Sequence, residues 1–171
     1  PSAKREAKGE KSIDLICHEK PRSTIAEAYR TIRTSVIFSS TEDKPLKSIL
    51  ITSATPQEGK TTNVINLSTV MAQANDKVLI VDCDLRRPRL HKTFEVDNKL
   101  GLSNFLTGTV GLDPVIQKTV VPNLSVIACG PIPPNPSELL GSAVMRDFLK
   151  VTKAKFDKVI IDAPPILTVT D

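Results

Sequence analysis

Residues 53–62 end in Gly-Lys-Thr-Thr, a combination that can bind phosphate groups. An apolar run at 49–51 precedes them, and apolar residues at helical spacing begin at Val64. In a strand–loop–helix of this kind, the backbone N–H groups of the first helical turn can bind an anion. Lys60 can reach β- and γ-phosphates, and the Thr61 hydroxyl can bind Mg²⁺.

This phosphate loop departs from the strict pattern G-x-x-x-x-G-K-[ST] at one position. Ala54 stands where the pattern has its first glycine. Taken alone, the segment could be a turn that merely begins a helix. If the loop does bind a nucleotide, we expect these residues to surround its phosphates: Glu58, Gly59, Lys60, Thr61, Thr62 and Arg86.

Three aspartates follow apolar runs that have the length of buried strands. Asp82 and Asp84 follow one run, and Asp162 follows another. In open α/β sheets, ligands bind at the carboxyl ends of the strands, and strand alternation places Asp82 and Asp84 on one side. Near a triphosphate, such carboxylates hold Mg²⁺ or its water, and one can accept a proton from an attacking hydroxyl. Either of the first two, taken singly, could instead be a solvated residue at a strand end.

A charged face on the first predicted helix is a second candidate for function. Glu27, Arg30 and Arg33 recur at a spacing of three residues. The simpler explanation is a solvated helix face with one Glu–Arg pair. The alternative is an interface in which arginines meet carboxylates of a neighbouring subunit.

Alternation of strand and helix patterns predicts an α/β fold, a doubly wound and mostly parallel sheet flanked by helices. The apolar runs predict strands at 49–51, 78–81, 124–128 and 158–161. Helices are predicted within 21–40, after the phosphate loop, within 101–108 and after Pro136. Residues 1–20 are predicted to be a flexible tail or linker, and 21–171 the folded domain. Because such a sheet rarely ends at its fourth strand, we expect a further C-terminal part of the domain.

Composition excludes several classes of protein. The 171 residues carry a net charge of only +4, and the basic residues are scattered, which argues against a nucleic-acid partner. The three cysteines lie far apart without metal-ligand spacing, as expected for reduced thiols in the cytosol. No apolar run approaches the ~18 residues of a membrane span.

Taken together, the motifs resemble the bacterial tyrosine kinases of capsule and exopolysaccharide synthesis. That family has an altered Walker A motif, an aspartate motif of the form apolar-D-x-D-x-R, and a Walker B motif of the form apolar-D-x-P-P. The corresponding segments here are 53–62, 80–86 and 160–165. Segment 130–140 and the E-x-x-R-x-x-R spacing on the first helix also resemble the family.

The resemblance implies an ATP-dependent protein-tyrosine kinase that requires Mg²⁺ and phosphorylates itself. It implies that Asp82 is the base for the tyrosine hydroxyl, with Lys60 on the phosphates. Thr61, Asp82, Asp84 and Asp162 would hold the metal. It also implies a ring-type homo-oligomer built through Glu27, Arg30 and Arg33.

Further implied partners are a membrane-spanning activator or adaptor and a cognate tyrosine phosphatase. The domain would then lie in the cytoplasm at the inner face of the membrane.

One departure is that the family usually carries a C-terminal tyrosine cluster, whereas Tyr29 is the single tyrosine of this sequence. Two alternatives remain: an ATPase of the partitioning and cell-division type, and a nucleotide-gated binding module. Against the ATPase, Thr55 occupies the position of that group's signature lysine.

Overall fold

The computed structural model describes residues 13–41, 45–167 and 169, which form a five-stranded sheet flanked by helices. The strands are β1 (Ser48–Ile51), β2 (Val78–Asp82), β3 (Gln117–Lys118), β4 (Leu124–Ile127) and β5 (Lys158–Asp162). Their order in the sheet is β1-β5-β2-β4-β3. All neighbours are parallel except β3, which pairs antiparallel with β4 at one edge. The predicted α/β fold class is therefore confirmed.

In the part of the chain that the structure describes, three long α-helices and four short ones flank the sheet. The helices are α1 (Ile16–Glu19), α2 (Thr24–Phe38), α3 (Lys60–Ala72), α4 (Leu90–Thr93), α5 (Leu102–Leu106), α6 (Pro136–Leu140) and α7 (Ala143–Lys155). None of the described helices has both the length and the hydropathy of a membrane-spanning segment.

Alternating side chains of β2 supply two separate cores, one on each face of the sheet. Val78 and Ile80 pack with the apolar residues of α3, whereas Leu79 and Val81 pack with those of α5 and α7. All four side chains have no solvent exposure. A strand buried on both faces explains why the sequence shows a continuous apolar run there instead of alternation.

The structure differs from the sequence-based expectations in three local features. Residues 13–19, predicted to belong to a flexible tail, form a 3-10 turn and α1, in which Cys17 is fully buried. The remainder of that predicted tail, residues 1–12, lies outside the described residues. The single helix expected after Pro136 is two helices, which meet at Gly141 and Ser142. The short edge strand β3 was not predicted, because two residues give no periodicity.

Candidate active site

The phosphate loop joins β1 to α3 at the carboxyl edge of the sheet. Gly59, the residue before α3, has φ = 80°, in the left-handed region that glycine adopts without strain. The loop thus turns sharply at the glycine and starts the helix at Lys60. The first N–H groups of a 13-residue helix therefore face the loop, as a site for an anion requires.

Lys60, Thr61 and Asp162 form one hydrogen-bonded group. The Lys60 Nζ atom donates to Asp162 Oδ1 at 2.6 Å, and the Thr61 hydroxyl donates to Asp162 Oδ2 at 2.8 Å. The Lys60 side chain is 8% exposed and that of Asp162 is 1% exposed. Burial raises the pKa of Asp162, while Lys60 and Thr61 act in the opposite direction because they stabilise the carboxylate. The structure therefore brings the Walker A lysine and threonine together with the Walker B aspartate.

Asp82 lies beside this group at the end of the neighbouring strand. It is paired with Asp162 in the register of β2 and β5 and has no solvent exposure. Its Oδ2 atom accepts hydrogen bonds from the backbone N–H groups of Arg89 and Leu90, both at 3.2 Å. Its Oδ1 atom is buried and has no hydrogen-bond partner within the described ranges.

The environment of Asp82 changes its acidity. Burial, reinforced by the nearby charge of Asp162, raises the pKa of Asp82 to about 7. A carboxyl group with a pKa near neutrality can exchange a proton at physiological pH, as a general base must. The unpartnered Oδ1 atom is the position at which such a proton could bind.

Asp84 completes the acidic group and lies closer to solvent than Asp82. Its Oδ2 atom is 3.6 Å from Lys60 Nζ, and its Oδ1 atom accepts a hydrogen bond from the backbone N–H of Arg87 at 3.0 Å. Asp84 and Asp162 thus meet at Lys60, with Asp82 beside Asp162, although Asp84 and Asp162 are 78 residues apart in the chain (84 to 162).

A cavity of about 520 Å³ opens beside this group. It is lined by Ser53, Pro56, Gln57, Lys60, Thr61, Asp84, Arg86, Arg87, Arg89, Pro164, Pro165 and Val169. Of the predicted site residues, it therefore includes Lys60, Thr61, Asp84 and Arg86. Asp82 and Asp162 lie behind them.

Glu58 and Thr62 were predicted to bind the nucleotide, but their side chains make hydrogen bonds within the protein. Glu58 accepts hydrogen bonds from the N–H groups of Ala54 and Thr55, and from the Thr55 hydroxyl. These bonds lower the pKa of Glu58. Thr62 donates its hydroxyl hydrogen bond to Asp14, so its side chain joins the N-terminal segment to α3.

Sequence reasoning missed the parts that Asp14 and Arg89 play near the site. Arg89 lines the cavity, its N–H covers Asp82, and its guanidinium lies 3.5 Å from the Asp14 carboxylate. The basic run after Asp84 was a signal for Arg89. No sequence signal pointed to Asp14, because it approaches α3 only when the N-terminal segment folds onto that helix.

The residues present fit a Mg²⁺ ion bound together with phosphates. Thr61 and the aspartates offer only oxygen atoms, which Mg²⁺ prefers, and one buried Asp82 oxygen lacks a partner. Within the described ranges, no group of three or more His, Cys, Asp or Glu side chains forms a complete metal-binding cluster.

The charged face of α2 contributes no residue to the described lining of the cavity, and its side chains make contacts within the chain. Arg30 pairs with Glu27 and also donates to the carbonyl of Pro21, and Arg33 donates to the carbonyl of Val70 at 2.9 Å. The same helix leaves Ile25 39% exposed and Ile32 46% exposed. The apolar side of α2 is therefore only partly covered by the domain.

Comparison with known proteins identifies a matching family and several close relatives. Residues 46–171 match the family described as AAA domain. The chain is 44% identical over 158 residues to tyrosine-protein kinase YwqD of Bacillus subtilis strain 168, covering 92% of this chain and 66% of that protein. It is 42% identical over 157 residues to the putative tyrosine-protein kinase CapB of Staphylococcus aureus, covering 92% and 68%.

Solved structures agree with the sequence comparisons. The kinase domain of the Escherichia coli tyrosine kinase ETK superposes with a TM-score of 0.88 at 41% identity, covering 95% of this chain and 63% of that one. A septum site-determining protein MinD of Pyrococcus horikoshii OT3, complexed with Mg-ADP, has a TM-score of 0.60 at 29% identity, covering 70% and 49%.

The chain spans about two thirds of the length of YwqD and CapB, and 22% of the longer Escherichia coli tyrosine-protein kinase etk. Each of these relatives aligns across more than nine tenths of the chain. The family match over residues 46–171 includes the phosphate loop and all three strand-end aspartates. The chain belongs to the AAA-domain family and, within it, to the bacterial tyrosine-protein kinases.

Proposed function

We propose that this chain is the catalytic domain of an ATP-dependent protein-tyrosine kinase that acts in capsular or exopolysaccharide synthesis. The observation that carries the proposal is the Lys60–Asp162–Thr61 group at the edge of the 520 Å³ cavity, with Asp84 on the other side of the lysine. A lysine held between two carboxylates is positioned to exchange them for phosphate oxygens when a nucleotide enters.

In the proposed reaction, the tyrosine oxygen attacks the γ-phosphorus of ATP, and the bond to the β,γ-bridging oxygen breaks. ADP keeps the electron pair of that bond, and the phenolic proton passes to Asp82 Oδ1. Lys60 and the N–H groups of the loop stabilise charge on the phosphate oxygens. A bound Mg²⁺ would neutralise further charge on the phosphates, held by Thr61, Asp84 and Asp162 with Asp82 nearby.

Asp82 needs access to the tyrosine hydroxyl for this step. At present the backbone of Arg89 and Leu90 covers it. Both hydrogen bonds are 3.2 Å long, towards the weak end of the usual range. We infer that entry of the tyrosine displaces the Arg89 segment, which is joined to the domain on its outer side by the Arg89–Asp14 contact.

Labelled ATP tests this proposal directly. We expect the full-length protein, supplied with its activator, to transfer label to tyrosine, and Lys60→Met and Asp82→Ala to abolish the transfer. Lys118→Met is a matched control, because Lys118 is exposed on the edge strand and distant from the loop. Label on tyrosine in both site variants would contradict the assignment.

An ATPase of the MinD type is the second candidate, favoured by the fold similarity to the MinD protein that was solved with Mg-ADP. Thr55 argues against it, because the signature lysine of those ATPases occupies that position. In the labelling experiment, release of free phosphate without phosphotyrosine would favour the ATPase.

A nucleotide-gated binding module is a third possibility. It would be favoured if the Lys60→Met variant still regulated its partner but no longer phosphorylated tyrosine.

The proposed partners follow from the family. We propose that a membrane-spanning adaptor activates the domain and keeps it at the inner face of the membrane, and that a tyrosine phosphatase reverses its product. We also propose that α2 builds a ring-type oligomer, supported by the exposure of Ile25 and Ile32 beside Glu27 and Arg30. Exposed isoleucines next to charged residues are typical of a protein interface.

A further inference from the structure

A second groove of about 550 Å³ adjoins the nucleotide cavity. One side is the segment between β2 and α4 together with α4, and the other is the loop after β4. Arg87 and Arg89 line both spaces. A ligand in the groove would therefore be continuous with the position of the phosphates.

The groove has a strongly positive lining. Arg87, Arg89 and Lys92 are all exposed there, and none of its described lining residues is acidic. Within the described ranges, Arg87 and Lys92 show no ion pair, and Arg89 has only the 3.5 Å contact with Asp14 while its side chain stays 58% exposed. Arg87 and Lys92, together with the exposed guanidinium of Arg89, can therefore pair with carboxylates of a ligand.

The groove also has an apolar side and a buried nitrogen without a partner. Pro131 and Ile132 lie opposite the basic residues, and Ile132 is 63% exposed. The Nδ1 atom of His91 is buried and lacks a hydrogen-bond partner within the described ranges. Cationic, apolar and hydrogen-bonding groups in one groove suit a peptide better than a free phosphate.

We propose that this basic groove binds the acidic residues that flank the target tyrosine of the protein substrate. The inference rests on the proposed kinase function and adds the class of substrate. The lining includes Arg89, whose N–H group covers Asp82, so a peptide lying in the groove has one end close to the base. The groove then selects tyrosines with glutamate or aspartate nearby, because their carboxylates meet Arg87, Arg89 and Lys92.

The test compares two short tyrosine peptides, one with glutamates around the tyrosine and one with glutamines in their place. The full-length protein with its activator is assayed for phosphorylation of each peptide. We expect the acidic peptide to be preferred through a lower KM, and the preference to weaken as salt rises. Equal kcat/KM values for the two peptides would overturn the inference while leaving the kinase function intact.

Lys92→Glu is the informative variant, because Lys92 lines the groove and not the nucleotide cavity. We expect it to reduce the ratio of the two kcat/KM values roughly fivefold. Lys118→Glu makes the same charge change on β3 and should leave the ratio unchanged. An equal effect of both variants, or a change in nucleotide affinity instead of the peptide ratio, would contradict a peptide groove.

A measurement of peptide binding distinguishes failure of the groove proposal from failure of the kinase proposal. Fluorescence anisotropy of the labelled acidic peptide is measured with a non-hydrolysable ATP analogue present. If the acidic peptide binds and Lys92→Glu weakens that binding, but no phosphotyrosine forms in the assay, the groove is supported and the kinase function is contradicted. Lys92-dependent binding of a DNA oligonucleotide, with none of the acidic peptide, would overturn the groove's assignment to a protein substrate.

Discussion

The Nζ atom of Lys60 lies 2.6 Å from the Oδ1 atom of Asp162. These residues come from the phosphate loop and from the last strand, and the fold brings them together across the carboxyl edge of the sheet. Without nucleotide, the aspartate neutralises the buried ammonium group. ATP must therefore compete with Asp162 for Lys60, which makes this pair central to both stability and phosphate binding.

Removing the lysine should destabilise the nucleotide-free protein as well as abolish activity. Lys60→Met leaves the nearly buried Asp162 without its cation, which we expect to cost about 3 kcal/mol in the free energy of unfolding. Urea denaturation in EDTA measures this loss. In the double variant Lys60→Met/Asp162→Asn the charge is gone, so much of the stability should return. A double variant as unstable as the sum of the single losses would show that the pair is not coupled.

Stability should also depend on pH through Asp82. Its pKa is raised to about 7 in the folded protein, well above the value of roughly 3.9 for an unfolded aspartate. Between these values the folded state binds more protons, so the free energy of unfolding falls as pH rises from about 4 to about 7, and then levels off.

The Asp82→Asn variant isolates this effect. Compared with it, the parent protein should lose about 2 kcal/mol more between about pH 5 and about pH 8, measured by denaturation in EDTA. The asparagine oxygen can still accept the N–H bonds of Arg89 and Leu90, so the covering segment should stay in place. Parallel pH curves for the two proteins would show that Asp82 does not titrate in this range.

The carboxylate of Glu58 should hold the phosphate loop in shape before nucleotide binds. Glu58→Gln loses the charge-assisted bonds to the N–H groups of Ala54 and Thr55. We expect the affinity for a fluorescent ATP analogue to fall about fivefold, because the loop must then be ordered on binding. Glu95→Gln is a comparable exposed change outside the loop. Tighter binding in Glu58→Gln would instead mean that the carboxylate competes with phosphate for those N–H groups.

Two close glycines hold α5 against the loop after β4. A Cβ atom at Gly101 would lie 2.2 Å from the backbone N of Gly130 and 2.3 Å from the carbonyl O of Ala128. Gly101→Ala should therefore separate the two backbones and lower the free energy of unfolding by about 3 kcal/mol or more. Gly111→Ala has no atom within 4 Å of the new Cβ and should be nearly neutral. Thermal denaturation of both variants makes the comparison, and equal melting temperatures would contradict the close approach.

The α2 face should control self-association. Arg30→Glu places two like charges beside each other at positions 27 and 30, and removes the arginine from the proposed interface. We expect a shift from oligomer to monomer in light scattering, with activity in trans reduced. Lys150→Glu disrupts the comparable pair with Asp147 on α7 and is the matched control. An unchanged mass for Arg30→Glu would remove this face from the assembly.

Local patterns in the sequence were sufficient for the fold class and for grouping the residues of the candidate site. The four apolar runs predicted the four parallel strands, because strands buried on both faces need continuous apolar sequence. Three of these runs end directly before the phosphate loop or the aspartates that the fold then brings together at one edge. Lys60, Thr61, Asp84 and Asp162 could be assigned to a common site for that reason, without knowledge of any distance.

Only the tertiary structure showed how these groups are held. It showed that Asp162 binds both Lys60 and Thr61, that the Arg89 backbone covers Asp82, and that Asp14 closes onto Thr62 from a segment predicted to be mobile. These contacts join residues far apart in the chain, and their geometry depends on how the segments pack. Sequence periodicity reports which face of an element is buried, whereas the partner of a buried charge is set by whichever distant group the packing brings within hydrogen-bonding distance.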